Sequence, residues 1–149
     1  MAEDALWVGS MPEAYERWLV PAVFHPFAVD LARRVAPRAP RRVLELAAGT
    51  GVLTRDLVAA HEPGAVTATD LNDAMVDLGR RQEPRRGRAG ADAMDVPFGD
   101  AEFDLVACQF VRGMFLADKL AAFAEVRRLP TADGAFLLTS WSTLDTRDF

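Results

Sequence analysis

Apolar positions between Pro12 and Val35 recur with a helical period. Tyr15, Trp18 and Leu19 share a face, Pro21 interrupts, and Phe24, Phe27, Leu31 and Val35 follow at three- and four-residue steps. Pro37 to Pro40 read as a linker. Val43-Leu44-Glu45-Leu46-Ala47 then predicts a short strand covered on both faces, as at the centre of a parallel sheet. Leu53, Leu57 and Ala60 mark a helix face that Pro63-Gly64 stops. Ala65 to Thr69 predicts a second strand with Asp70 at its carboxyl end. Asn72 is a good N-cap for a helix carrying Met75 and Leu78, with Asp73 favourable in its first turn. Gly87 to Gly90 has almost no apolar content and predicts a short edge strand. Phe103 to Cys108 is a fourth strand. Leu116, Leu120, Phe123 and Ala124 line a helix ending near Leu129, where Pro130 cannot continue it. Asp133-Gly134 turns into a fifth strand, Ala135 to Thr139.

Strands that alternate with helices imply right-handed crossovers. The expected fold is therefore α/β: a Rossmann-like, doubly wound parallel sheet of about five strands in the order 3-2-1-4-5, with helices on both faces. Residues 1–40 form an N-terminal helical cap and residues 41–149 the Rossmann-like domain, together one compact unit.

Composition narrows the function. The chain of 149 residues suits one domain with one core. Its net charge of -5 repels phosphate backbones and gives no support for nucleic-acid binding. Arg80, Arg81, Arg85, Arg86 and Arg88 run the other way and read as a solvated loop. Cys108 is the sole cysteine, and His25 and His61 lack metal-ligand spacing, so neither a disulfide nor a metal site is expected. Met1 to Leu6 hold two acids and no apolar run, unlike a secretory signal, and no stretch approaches a membrane span. A cytoplasmic protein is expected.

Ligands of such sheets bind beyond the carboxyl ends of the strands, where strand order reverses. Glu45, Gly49 and Gly51, Asp70, Asp92 and Gln109 fall at the ends of successive strands. Glycine lets the loop after the first strand turn tightly and brings its amides close to a ligand, although an ordinary strand-to-helix turn uses glycine too. Asp70 follows that loop by about 20 residues, where a carboxylate accepts from both hydroxyls of a ribose; it could equally cap a helix. A nicotinamide dinucleotide and S-adenosylmethionine both meet this description. Thr54, β-branched where a dinucleotide fingerprint wants a small residue, weakens the first.

Val43-Leu44-Glu45-Leu46-Ala47-Ala48-Gly49-Thr50-Gly51 resembles the first motif of the class I S-adenosylmethionine-dependent methyltransferases, in the branch of the ubiquinone and menaquinone methyltransferases. Thr69-Asp70-Leu71-Asn72 with Met75 is similar to the second motif. Ala91-Asp92-Ala93 before Val96-Pro97-Phe98 is similar to the third, and Phe103 to Phe110 resembles the segment over the fourth strand. Tyr15 to Pro21 looks like a helical opening of part of the family. The resemblance implies that Glu45, Ala47 and Gly49 surround the methionine part of S-adenosyl-L-methionine, that Gly51 of the same loop also binds the cofactor, and that Asp70 holds its ribose. Asp92 would accept from the adenine amino group, with the Ala93 amide facing the ring and Leu71 and Phe98 packing on it; Met75 could pack there too, but reads better as helix core. Gln109 would lie near the sulfonium and the acceptor. Because methyl transfer asks mainly for alignment and exclusion of water, a base is optional; Gln109 and His25 are the weak catalytic candidates.

The chain departs from the family around Arg112, at Leu129 to Gly134, and above all after the fifth strand, where a helix and two further strands usually follow. The fifth strand would then be an apolar sheet edge, which invites a homodimer through 135–141. The function expected is methyl transfer to a small-molecule acceptor. The alternative is a truncated S-adenosylmethionine-binding module, or pseudoenzyme, acting through a partner.

Overall fold

The computed structural model describes residues 10–62, 64–83, 87–110 and 118–141. Arg85, Arg86, Arg112, Leu116 and the stretch beyond 141 lie outside them. Helix α1 (Met11–Ala14) leads into a wide-turned segment, Tyr15–Phe24, and on into α2 (His25–Val35) and a tight turn, Ala36–Arg38. The sheet follows: β1 (Val43–Leu46), α3 (Val52–Ala59), β2 (Val66–Asp70), α4 (Asp73–Gln82), β3 (Gly87–Gly90), β4 (Phe103–Gln109), α5 (Lys119–Arg128) and β5 (Pro130–Thr139). All pairings are parallel and the order is β3-β2-β1-β4-β5, as expected. None of the helices is long and apolar enough to cross a membrane, among the described residues.

The core divides by strand alternation. Val43, Leu105 and Ala107 face Leu31, Val35, Leu53 and Leu57 of α2 and α3. Leu44, Leu46, Val106 and Cys108 face Val96, Val126 and Leu129 on the other side. Asn72 caps α4 as predicted, its side-chain oxygen accepting from Met75 N at 3.0 Å. Asp118, not singled out in the sequence, caps α5 in the same way.

Three local expectations are corrected. Pro21 does not interrupt the opening helix: hydrogen bonding widens to five-residue steps, with His25 N donating to Val20 O, and the wider turn tolerates a residue that has no N–H to give. Strand β5 begins at Pro130, which pairs with Phe103, and pairing resumes only at Ala135 with Leu105. The residues between bulge outward so tightly that a Cβ on Gly134 would lie 2.8 Å from Pro130 Cβ and 2.9 Å from the Thr131 backbone. Helix α5 presents a different face from the one predicted. Ala122 and Val126 are buried while Leu120 is 83% and Phe123 56% exposed. The cause is polar: Glu125 and Arg128 turn toward the loop before β4, where Val96 N donates to Glu125 and the Val96 and Phe98 carbonyls accept from Arg128.

Candidate functional site

Strand β1 stops because the chain turns left-handed at Ala47, with φ +51°, and again at Gly49 (+55°) and Gly51 (+92°). Ala47 is exposed at this turn, and its conformation costs about 1 to 2 kcal/mol for a residue with a Cβ. The loop is laced to its neighbours by backbone bonds. Ala48 N donates to Thr69 O at 2.8 Å and Gly51 N to Ala48 O at 2.8 Å. Gly49 N donates to Asp70 Oδ2 at 2.7 Å, and Asn72 N to Asp70 Oδ1 at 2.9 Å. The Asp70 carboxylate is thereby held between the loops after β1 and β2.

The next strand end joins the same edge. Ala91 N donates to Asp70 O at 3.0 Å, and Asp92 sits in a tight turn in which Met94 N donates to its Oδ1 at 2.8 Å. Asp70 and Asp92 thus stand at the ends of adjacent strands on one side of the molecule. Near these strand ends Gly90 and Ala47 are exposed and Leu71 is 57% exposed. Met75 is buried in α4, and the Phe98 ring lies edge-on to Phe103 at 5.2 Å.

Glu45 lies beneath the loop, 1% exposed, with its Oε2 accepting from the Thr54 hydroxyl at 2.5 Å. The β-branched Thr54 that weakens a dinucleotide reading is therefore the partner of a buried carboxylate. The opening helix crosses above. Thr50 donates to Glu16, and Arg55 donates to the other Glu16 oxygen at 2.8 Å. The Tyr15 hydroxyl lies 4.0 Å from where a Cβ on Gly49 would be. Burial pushes that hydroxyl well above its usual range, with the charges of Glu16, Asp70 and Glu45 adding and Arg55 opposing, so Tyr15 stays protonated. Three acidic side chains and one guanidinium, paired with Glu16, thus surround the Tyr15 hydroxyl beside the glycine loop.

The ends of β4 and β5 are built differently. Gln109 Nε2 donates to Phe24 O at 2.7 Å, while its Oε1 is buried with no hydrogen-bond partner among the described residues. Phe110, with φ +55°, stacks on Trp141 at 4.3 Å and meets Phe27 edge-on at 5.0 Å. Outside β5 an open groove of about 850 Å³ runs between Phe27, Arg34, Leu138 and Trp141. His25 points away from the strand ends, 54% exposed and 3.8 Å from Asp56 on α3.

The structure thus brings Ala47, Gly49, Gly51, Asp70, Leu71, Asp92 and Ala93 to one edge with Gln109 beside them. It sets Glu45 below that edge and His25 outside it. Sequence reasoning assigned no role to Tyr15, Glu16 or Thr50. Their signal is a tyrosine and an acid on one turn of an opening helix, which only tertiary packing brings to the loop.

The chain matches the model of a family described as methyltransferase domain over residues 44–138. A ubiquinone/menaquinone biosynthesis C-methyltransferase of Burkholderia cenocepacia is 37% identical over 107 residues, which cover 68% of this chain and 43% of that protein. A malonyl-acyl-carrier protein O-methyltransferase of Halorhodospira halophila is 36% identical over 105 residues, 68% of this chain and 35% of that one. The structure of Streptomyces venezuelae DesVI shares the fold at a TM-score of 0.75 and 20% identity, covering 95% of this chain and 61% of its own. The chain spans less than half the length of these two curated relatives.

Proposed function

Since the chain belongs to the class I S-adenosylmethionine-dependent methyltransferases, in their ubiquinone/menaquinone methyltransferase-like branch, we propose that it binds S-adenosyl-L-methionine across the ends of β1, β2 and β3. It passes the methyl group to a small-molecule acceptor at the ends of β4 and β5. The observation that carries this reading is the Asp70 carboxylate, held by two backbone amides at the mouth of the glycine loop. A carboxylate so placed accepts from ribose hydroxyls without first having to be ordered.

The cofactor supplies an already activated methyl group, so the chain's residues mainly hold, align and exclude water. Asp92 accepts from the base, and the Ala93 amide faces the ring. Gln109, whose Nε2 donates to Phe24 O, would stand beside the acceptor at the end of β4. Relatives of near-equal identity are named for carbon and for oxygen methylation, so the acceptor atom is left open. A buried thiol at Cys108 suits a reducing compartment, the cytoplasm. Calorimetric titration tests the reading: S-adenosylmethionine and its demethylated product should bind and NAD should not. Binding of NAD alone would reverse it.

A second reading has its own observation, the open groove beside β5, where Phe27 is 42% and Leu138 44% exposed. An apolar sheet edge of this kind pairs readily with another chain, and the homodimer through 135–141 belongs here. Light scattering should then give twice the monomer mass. Cofactor binding without methyl transfer to any tested acceptor would favour a binding module acting through a partner.

A further inference from the structure

Arg128 uses every N–H it has. Nε donates to Glu125 Oε1 at 2.6 Å and Nη2 to Glu125 Oε2 at 2.5 Å, a forked pair along one turn of α5. Nη2 also donates to Val96 O at 3.0 Å, and Nη1 to Phe98 O at 2.6 Å and to Asp100 at 3.1 Å. The Arg128 carbonyl accepts from Ala101 N at 2.8 Å, so one residue grips both ends of the segment from 96 to 101. Glu125 completes the grip by accepting from Val96 N at 3.1 Å.

This anchorage bears on the turn just before it. The chain from Ala91 to Val96 is fixed at its start, where Ala91 N bonds Asp70 O, and at its end, where both polar atoms of the Val96 backbone are taken by Glu125 and Arg128. Asp92 lies between these two points, bridged to Asp95. Its carboxylate accepts from Met94 N inside that span, so the span's far anchor is the pair of side chains at the end of α5.

We propose that Glu125 and Arg128 are positioning residues that set how well Asp92 reads the base of the bound nucleoside. The inference rests on the cofactor reading above, with adenine at Asp92. Lysine at 128 would keep the charge and lose the fork, so it could hold a carboxylate or a carbonyl but not both edges of the loop.

The test compares S-adenosylhomocysteine with S-inosylhomocysteine, in which an oxygen replaces the amino group that Asp92 would accept from. The wild-type protein should prefer the adenine form by about tenfold, the scale of one hydrogen bond to a charged group. In Arg128→Lys the preference should shrink to about threefold or less, with the inosine form bound as before; Glu125→Gln should fall between. Rescue of the ratio at lysine, or an equal loss for both ligands beside a lower Tm, would overturn the proposal and leave Arg128 a purely stabilising residue. A wild-type protein that binds both ligands equally would overturn it as well. Binding of neither by the wild-type protein would instead sink the cofactor reading, a failure visible before any variant is made. Should Arg128→Lys fail to fold, Glu125→Gln carries the same comparison.

Discussion

The two halves of the sheet's carboxyl edge solve the same problem with different materials. At β1, β2 and β3 the chain places charge with backbone amides, as Gly49 and Asn72 do for Asp70. At β4 and β5 it builds a wall of rings, Phe110 on Trp141 and Phe27, drawn from three separate segments. Each half contains one left-handed residue that is not glycine, Ala47 and Phe110. Backbone amides define a point in space and hence a fixed ligand group. Packed rings define only a surface, which suits an acceptor whose polar groups vary. The half proposed to face a constant cofactor is therefore the polar one, tied down by backbone hydrogen bonds.

The sharpest way to break this contrast is Asp70→Ala, which removes the acceptor of both amides and, on the proposed reading, of the ribose. Affinity for S-adenosylhomocysteine should fall by up to about 3 kcal/mol by calorimetry. Unchanged affinity would mean that the ribose lies elsewhere. Next come the two left-handed residues, where one substitution should have opposite signs. Phe110→Gly relieves its backbone but loses half-buried ring contacts, for a net loss of about 2 kcal/mol in denaturant unfolding. Ala47→Gly relieves the same conformation with little packing lost and should gain about 0.5 to 1 kcal/mol. The same sign at both sites would erase the distinction drawn here. The smallest effect concerns pH. Hydrogen bonding from Arg128 holds the Glu125 carboxyl below its usual 4.5, with Val96 N helping and burial opposing. A depressed carboxyl contributes fully above its unfolded value and loses that contribution as pH falls through its folded one. The Tm difference between wild type and Glu125→Gln should therefore be constant near neutrality and shrink below about pH 4.5.

The contrast also explains what was legible. Strand order, the glycine loop and the Asn72 cap follow from rules that act within a few residues, and the positions of Asp70 at the end of β2 and Asp92 just after β3 could be read the same way. The short β3, Gly87–Gly90, was readable from its place between clearer elements despite its poor composition. Legibility ended where distant side chains decide. Periodicity put Leu120 and Phe123 inside, but it could not show that Glu125 and Arg128 would seek a loop some 30 residues earlier and rotate the helix. The passage of Pro21 through an unbroken helix is likewise decided by the wider turn around it, and the aromatic wall by chain crossings that no single segment announces.

The crowded bulge at the start of β5 has a consequence for how this chain can vary. With no room for even one methyl at Gly134, saturation mutagenesis there should return a single tolerated residue, while Ala132 and Asp133 beside it, both exposed, should accept most replacements. A lone intolerant codon directly after two permissive ones would be the genetic signature of that knot.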